Sequence, residues 1–464
     1  MSGSAVAGRS GAVALVLSLG LLGSGTSHAA VPTDVPDRSK SCPTSGEVPG
    51  IGHNPKFTDG NVALFAGGNY TVDGGSAEAE GLLVVKGDAT FAKDSGGTFN
   101  VGRVGAGSGI LPESGDVMLA VGGDLSIAEG TTVDVGHGLT AGPRYGGSVH
   151  VGKEIDEKGD LVTNGGERKS GVGAKDALSP YDTFDRTISD ESSSLGSLKP
   201  TGTTVSEGGT VTFKSTGASK GNLQVFEISA AELDGASTFL FEGIPDGASV
   251  VVNVTGSHAV SVAPMSVGFN GDRADTYDSP VFGEAASRIL YNFEGSTSLT
   301  LGGGGNFMGS LLAPKASADL TASTNGRVYI GGDVKTHGSG NETHNYPWAG
   351  SPAFKCKPKP SQPEKPAPPA PTTPSNSASP SPTRPGESTP SPTESTKPSQ
   401  PSQPAPVESE SAPAPAESSP APSNDEGSLA TTGAQVTMYA VAAAVLGALG
   451  FGLLAFTRRR RSRA

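Results

Sequence analysis

The chain has 464 residues, 68 of them glycine and 36 proline, with aromatic residues at only 5% and two cysteines. Its formal net charge of −13 argues against a nucleic-acid-binding surface and against docking on anionic lipid. No nucleic-acid partner is therefore expected.

At the amino terminus, Arg9 precedes an apolar run from Gly11 to Gly23, followed by small residues and Ser27-His28-Ala29-Ala30. A short positive segment, an apolar core too short to span a bilayer and a small-residue cleavage site predict a signal peptide over 1–30. The mature chain then begins at Ala30 or Val31 and enters one globular region, 31–356.

Five stretches in that region share a pattern: Ala63 to Asn69, Leu83 to Ala89, Leu119 to Leu125, Val149 to Ile155 and Val328 to Val334. Each is a short alternating strand, then Gly at a corner, then Asp, Asn or Glu, and in most a closing apolar residue. The alternation predicts Val84, Leu119, Val121, Val149 and Val151 on one face, with Gly122 and Gly331 at corners needing a tight bend. The Gly-Asp pairs, such as Gly123-Asp124 and Gly332-Asp333, read as turn chemistry. Several corners fall roughly 15 to 20 residues apart, which suits the coils of a parallel β-helix. Ser179 and Pro180 predict a helix start, and Leu178, Tyr181, Phe184, Ile188 and Leu195 follow near helical spacing, so one helix is expected alongside the solenoid. Strands resume at Thr210–Phe213, Leu223–Ile228, Thr238–Phe241 and Ser249–Val254, with last rungs within Arg288–Leu301, Gly309–Ala313 and Arg327–Val334.

Cys42 and Cys356 flank this β-patterned region. In an exported chain they are expected to pair, tying the ends of the domain together. For so long a loop the chain-entropy estimate is about 5 kcal/mol as an upper figure.

From 357 to 428 the chain is built mainly from Pro, Ser, Thr, Ala and Glu, with too little apolar surface to offset ordering entropy. It is expected to be a disordered stalk reaching on the order of 200 Å at ~3.1 Å per residue. Leu429-Ala430-Thr431-Thr432-Gly433 follows, then an apolar stretch from Val436 to Phe456 long enough for one transmembrane helix, then a basic tail, 457–464. This order resembles the sorting signal of sortase substrates. Ala430 in place of the usual proline resembles the variant read by class E sortases. The resemblance implies attack on the Thr432 carbonyl, loss of Gly433 with the membrane tail, and transfer to a peptidoglycan precursor. The chain is then a sortase substrate, anchored in the cell wall outside the plasma membrane.

Candidate chemistry inside the domain is sparse. Asp272, Asp275 and Asp278 form the best carboxylate cluster for a metal such as Ca²⁺, without EF-hand spacing. His337 and His344 are further metal candidates, with surface or capping roles as the alternative. No His-Glu-x-x-His or phosphate-loop motif is present. No cofactor and no enzymatic activity are expected.

Leu64–Val72, Leu83–Phe91 and Met118–Ile127 resemble the opening of the choice-of-anchor A domain. So do, later, Val250–Val254, Ile289–Phe293, Gly309–Pro314 and His344-Asn345-Tyr346-Pro347-Trp348. That resemblance covers roughly Gly50 to Gly350 and implies a surface-displayed domain with an adhesive role. The Gly309–Pro314 block is also similar to ice-binding β-solenoids. An ice-binding face, however, needs an aligned array of outward threonines, and Thr210-Val211-Thr212 and Thr297-Ser298-Leu299-Thr300 are isolated.

The expected fold class is mainly β: an interrupted right-handed parallel β-helix with one helix packed alongside, a disordered stalk and a transmembrane helix. The expected function is that of a wall-anchored adhesin binding an extracellular protein or glycan. The alternatives are a structural coat component and a polysaccharide-active enzyme, the latter requiring carboxylates gathered on one solenoid face.

Overall fold

The computed structural model describes residues 40–44, 47–139, 145–217 and 222–358. The expected signal peptide, most of the stalk, the sorting pentapeptide, the membrane span and the basic tail lie outside the described residues. Among the described residues no helix is long and apolar enough to cross a membrane.

Short strands joined at glycine corners wind into coils, and equivalent strands of successive coils pair in parallel. The described residues form a first sheet of ten strands, a second of eight and a third of seven. At ~4.8 Å per strand the first sheet is roughly 43 Å long. Strand order in the first sheet shows that the coils do not follow the chain. Val62–Ala66 sits mid-sheet, and Leu82–Val85, Val117–Val121, Ser148–Val151 and Arg168–Lys169 follow outward to one end. The chain then passes along helix Phe184–Gly196 and restarts at the opposite end with Leu223–Ser229. It returns through Ser249–Thr255, Ile289–Asn292 and Ser310–Ala313 to Val328–Ile330. There the last coils meet the first, with Leu64 opposite Val328, Tyr70 opposite Val334 and Glu78 opposite Glu342. This junction is the seam of the molecule.

The first sheet is buried on both faces, which is why its strands read as continuous apolar runs. Leu64, Leu83, Val85, Leu119, Val121, Val149, Val151 and Val328 fill the solenoid interior. Phe65, Val84, Ala120, Val251, Leu290, Leu312 and Tyr329 face outward and are covered by Leu178, Phe184, Ile188 and Leu195. Val84 therefore lies on the face opposite to Leu119, Val121, Val149 and Val151, contrary to the sequence expectation. In a strand buried on both sides, no polar residue marks which side is which.

The helix is present but starts later than expected. A short turn, Ala174–Leu178, ends at Ser179, which caps its carboxyl end, and the long helix begins at Phe184. Its stripe of Phe184, Ile188 and Leu195 is nevertheless the buried one, and Lys86 Nζ fastens its first turn by donating to Asp185 at 2.7 Å.

The corners obey one rule. Asp333 Oδ1 accepts from Asn69 N (2.7 Å), Asn69 Oδ1 from Asp88 N (2.9 Å), Asp88 Oδ1 from Asp124 N (2.8 Å) and Asp124 Oδ1 from Glu154 N (3.0 Å). Each corner side chain thus satisfies the backbone donor of the next coil, and the ladder crosses the seam unbroken. The glycines beside it leave room for that approach, since a Cβ at Gly122 or Gly331 would meet the Lys86 or Pro314 carbonyl oxygen. The acceptor role lowers the pKa of the Asp124 carboxyl.

Cys42 and Cys356 form the expected disulfide, with Cα atoms 5.7 Å apart. Non-reducing peptide mapping of the exported protein should find this single cross-linked pair. Two free thiols would remove the bond from the account.

Candidate functional site

Three surfaces of the solenoid are available for function. One column of outward residues runs the length of the second sheet. In spatial order these are Ser261, Thr300, Asp319, Lys335, Thr71, Thr90, Ser126 and Asp156. Thr71 and Thr90 are in register, but acids and a lysine interrupt the column, so the regular threonine array that ice requires is not formed on this sheet. His337 lies at the edge of this face, its Nε2 2.6 Å from Asp319 Oδ1. It is therefore a surface histidine held by a carboxylate.

An open concavity lies at the carboxyl end of the long helix, lined by Gly196, Asn253, Thr255, Ser257, Glu294 and Lys315. Its floor is rigid: Asn292 Nδ2 donates to Asn253 Oδ1 and to the Ser192 carbonyl, both at 2.9 Å. Asn253 Nδ2 donates to the Leu195 carbonyl at 2.8 Å. Glu294 and Lys315 supply charge at the rim.

The third sheet carries the densest chemistry, next to the seam. Period-two alternation points Ala79, Val101, Val133 and Phe307 inward and leaves Glu78, Glu80, Asn100, Glu342 and His344 on the outer side. That side is not open to solvent: Glu78 and Glu342 are each 4% exposed, Glu80 2% and His344 0%. Backbone groups of segment 103–111 cover it, with Gly105 N donating to Glu78 Oε2 and Ser108 N and Gly109 N donating to Glu80, all at 2.9 Å. Tyr277 closes the other flank, its hydroxyl 3.4 Å from Glu342 Oε2. Burial, with the Glu342 charge adding to it, pushes the Glu78 carboxyl up to about 7, and burial raises Glu80 as well. Burial alone would lower the pKa of His344, but the Glu342, Glu80 and Glu78 carboxylates outweigh it and raise it.

Beside this cluster lies a second buried charge site. Arg327 and Asp59 are fully buried and ion-paired. Arg327 also donates to Asn345 Oδ1 (3.1 Å) and Tyr329 Oη (3.2 Å). Asp59 accepts from Asn61 N (2.9 Å), Lys357 N (3.0 Å) and Asn345 Nδ2 (3.2 Å). The block from His344 to Trp348 is thus mainly architectural: Asn345 bonds across the seam, and buried Trp348 donates to the Arg288 carbonyl at 2.9 Å.

The aspartates singled out in the sequence do not converge. Asp275 is buried and committed to Arg273 (Nε, 3.1 Å) and Val267 N (2.9 Å), whereas Asp272 and Asp278 are exposed. Among the described residues the triad whose ligand atoms do converge, within 4.8 Å of one another, is Glu78, Glu342 and His344. Of these only His344 was a sequence candidate, and it stands apart from His337. The usable signal was the ionisable residues at alternate positions of two short strands, Glu78-Ala79-Glu80 and Glu342-Thr343-His344. Their pairing across the seam was not visible.

The family described as "Putative Ice-binding-like adhesive domain" matches residues 61–345. The chain belongs to this family. The adhesive-domain match begins just after Asp59 and ends at Asn345, so it spans both halves of the discontinuous solenoid and the seam between them. No curated protein matches the chain. Among solved structures, the ice-binding protein of the Antarctic ascomycete Antarctomyces psychrotrophicus is 14% identical, covering 62% of this chain and 94% of that one, at a TM-score of 0.27. The ice-binding protein LeIBP of an Arctic yeast, whose structure was described for its antifreeze activity, is 13% identical, covering 63% and 93%, at a TM-score of 0.23. Superpositions that loose carry no argument about this adhesive domain.

Proposed function

We propose that the protein is a cell-wall-anchored adhesin that holds an adhesive domain of the choice-of-anchor A type away from the membrane and binds an extracellular protein or glycan. The match to an adhesive-domain family over 61–345 carries this reading. The sequence on either side supports the anchoring: a signal peptide before the domain, and after it a proline-rich stalk, Leu429-Ala430-Thr431-Thr432-Gly433, an apolar stretch and clustered arginines. A class E-type sortase and a peptidoglycan precursor are the partners in anchoring. The reading is binding rather than catalysis, and it is supported by the burial of the gathered carboxylates Glu78, Glu80 and Glu342 beneath segment 103–111. The open groove with Glu294 and Lys315 at its rim is the concave surface suited to an extended glycan or peptide.

Cells expressing wild-type protein or Thr432→Ala test both parts. Muramidase should release wall-linked wild-type protein, while Thr432→Ala should move to the membrane fraction or the medium, because the acyl link cannot form. Unchanged wall linkage would refute the sortase reading. On arrays of immobilised glycans and matrix proteins, wild-type cells should bind and Thr432→Ala cells should not. Equal binding despite altered wall linkage would leave a structural coat component as the better description.

A further inference from the structure

The Glu78, Glu342 and His344 cluster has a feature that seam packing does not explain. A relay of amides fixes the orientation of the His344 ring. Asn306 Nδ2 donates to the Asp275 carbonyl (3.0 Å), and Asn325 Nδ2 donates to Asn306 Oδ1 (3.1 Å) and to the Phe307 carbonyl (3.2 Å). Asn325 therefore presents its oxygen to His344 Nδ1, at 2.7 Å, and Nδ1 must be the protonated nitrogen. This leaves Nε2, fully buried, as the free ring nitrogen. It lies 3.1 Å from Glu342 Oε2 and makes no hydrogen bond. A histidine whose Nδ1–H is held by a neighbouring oxygen and whose Nε2 is unpartnered among carboxylates has the arrangement of a metal ligand.

Charge points the same way. Glu78, Glu80 and Glu342 are all buried here. Glu80 is satisfied by three backbone N–H groups, from Ser108, Gly109 and Asn345. Glu78 accepts from Gly105 N and Asn100 Nδ2 through Oε2, and Glu342 Oε2 has the long contact from Tyr277 and the His344 ring beside it. Lys93 lies close enough to Glu78 to feel its charge, but its ammonium donates to the Ser76 and Thr98 carbonyls. The acids thus outnumber the cations in a water-poor site, an arrangement that favours a bound cation.

We propose that Glu78, Glu342 and His344 bind one divalent transition-metal ion, Zn²⁺ by the chemistry of the donor set, with the Tyr277 hydroxyl or a water molecule in the fourth position. One imidazole and two carboxylates suit Zn²⁺ better than the all-oxygen shells of Ca²⁺ or Mg²⁺. Ligand atoms now within 4.8 Å of one another would close to about 3.3 Å in a tetrahedral site with bonds of about 2.0–2.1 Å, a movement within reach of side-chain torsions. Glu78 comes from the first coils and Glu342 and His344 from the last, so the ion would clasp the two halves of the solenoid at their seam and couple metal binding to folding.

The test uses the full-length chain, stripped with a chelator and then titrated with Zn²⁺. One equivalent should bind and raise the melting temperature by several degrees, with Ca²⁺ and Mg²⁺ at the same concentration giving no shift. Glu342→Gln and His344→Gln should each weaken Zn²⁺ binding at least tenfold, while His337→Gln, which alters a half-buried histidine at the edge of the second sheet, should not. Absence of saturable binding to the folded wild-type chain, or loss in His337→Gln instead, overturns the site. If the buried variants do not fold, Co²⁺ added to wild type and to His337→Gln decides: visible d–d absorption saturating at one equivalent in both supports the site, and its absence overturns it.

Discussion

Arg327→Met should destabilise the domain by about 3–5 kcal/mol, the cost typical of breaking a buried ion pair from one side. Arg327 is wholly enclosed, and its removal strands the equally enclosed Asp59 carboxylate. Asp59→Ala should cost about as much, because it leaves the guanidinium buried without its counter-charge and also orphans the N–H groups of Asn61 and Lys357. These residues come from the lead-in to the first coil, the last coil and the segment after the domain, so the loss should appear as one cooperative shift in the denaturation midpoint. A change below about 1 kcal/mol in both variants would mean that the pair does not hold the seam.

Gly331→Val should cost about 3 kcal/mol or more, at the upper end for overpacking. The reason is space rather than backbone angle: any Cβ there falls on the Pro314 carbonyl oxygen, and backbone atoms cannot yield as a flexible side chain can. Gly122→Val should be similarly costly, since its Cβ would meet the Lys86 carbonyl as well as the flexible end of Leu178. Gly427→Val, in the Pro-rich part of the sequence, should leave the domain's melting temperature unchanged. Equal melting temperatures for all three variants would contradict the corner geometry.

The corners were legible because they are local. Gly122-Gly123-Asp124 and Gly331-Gly332-Asp333 each encode a bend plus an acceptor for the neighbouring coil, and the pattern recurs at Gly67-Gly68-Asn69 and Gly87-Asp88. The buried stripe Phe184, Ile188 and Leu195 was legible for the same reason, although Ser179 caps the preceding turn rather than the helix itself. Side assignment failed at Val84, where apolar residues continue on both faces. The seam was not legible at all, because nothing near Leu64 indicates that its neighbour is Val328 rather than the next repeat alone. With the seam hidden, Glu78 and His344 could not be placed in one cluster, and the spacing of Asp272, Asp275 and Asp278 drew attention to a loop whose one buried acid is already paired with Arg273.

The position of the seam also decides how the domain bears load. Lys357, where the chain leaves the solenoid, is pinned to Asp59 and Gly60 beside the middle of the stack, one residue beyond the disulfide. A pull on the following segment therefore enters at the waist of the rod, with both ends free, and meets a covalent bond before it reaches a strand. Coils on either side are not peeled one by one from a terminus. Tension at this attachment point is carried first by the disulfide and the Asp59 and Gly60 contacts, and the outer coils lie off its path.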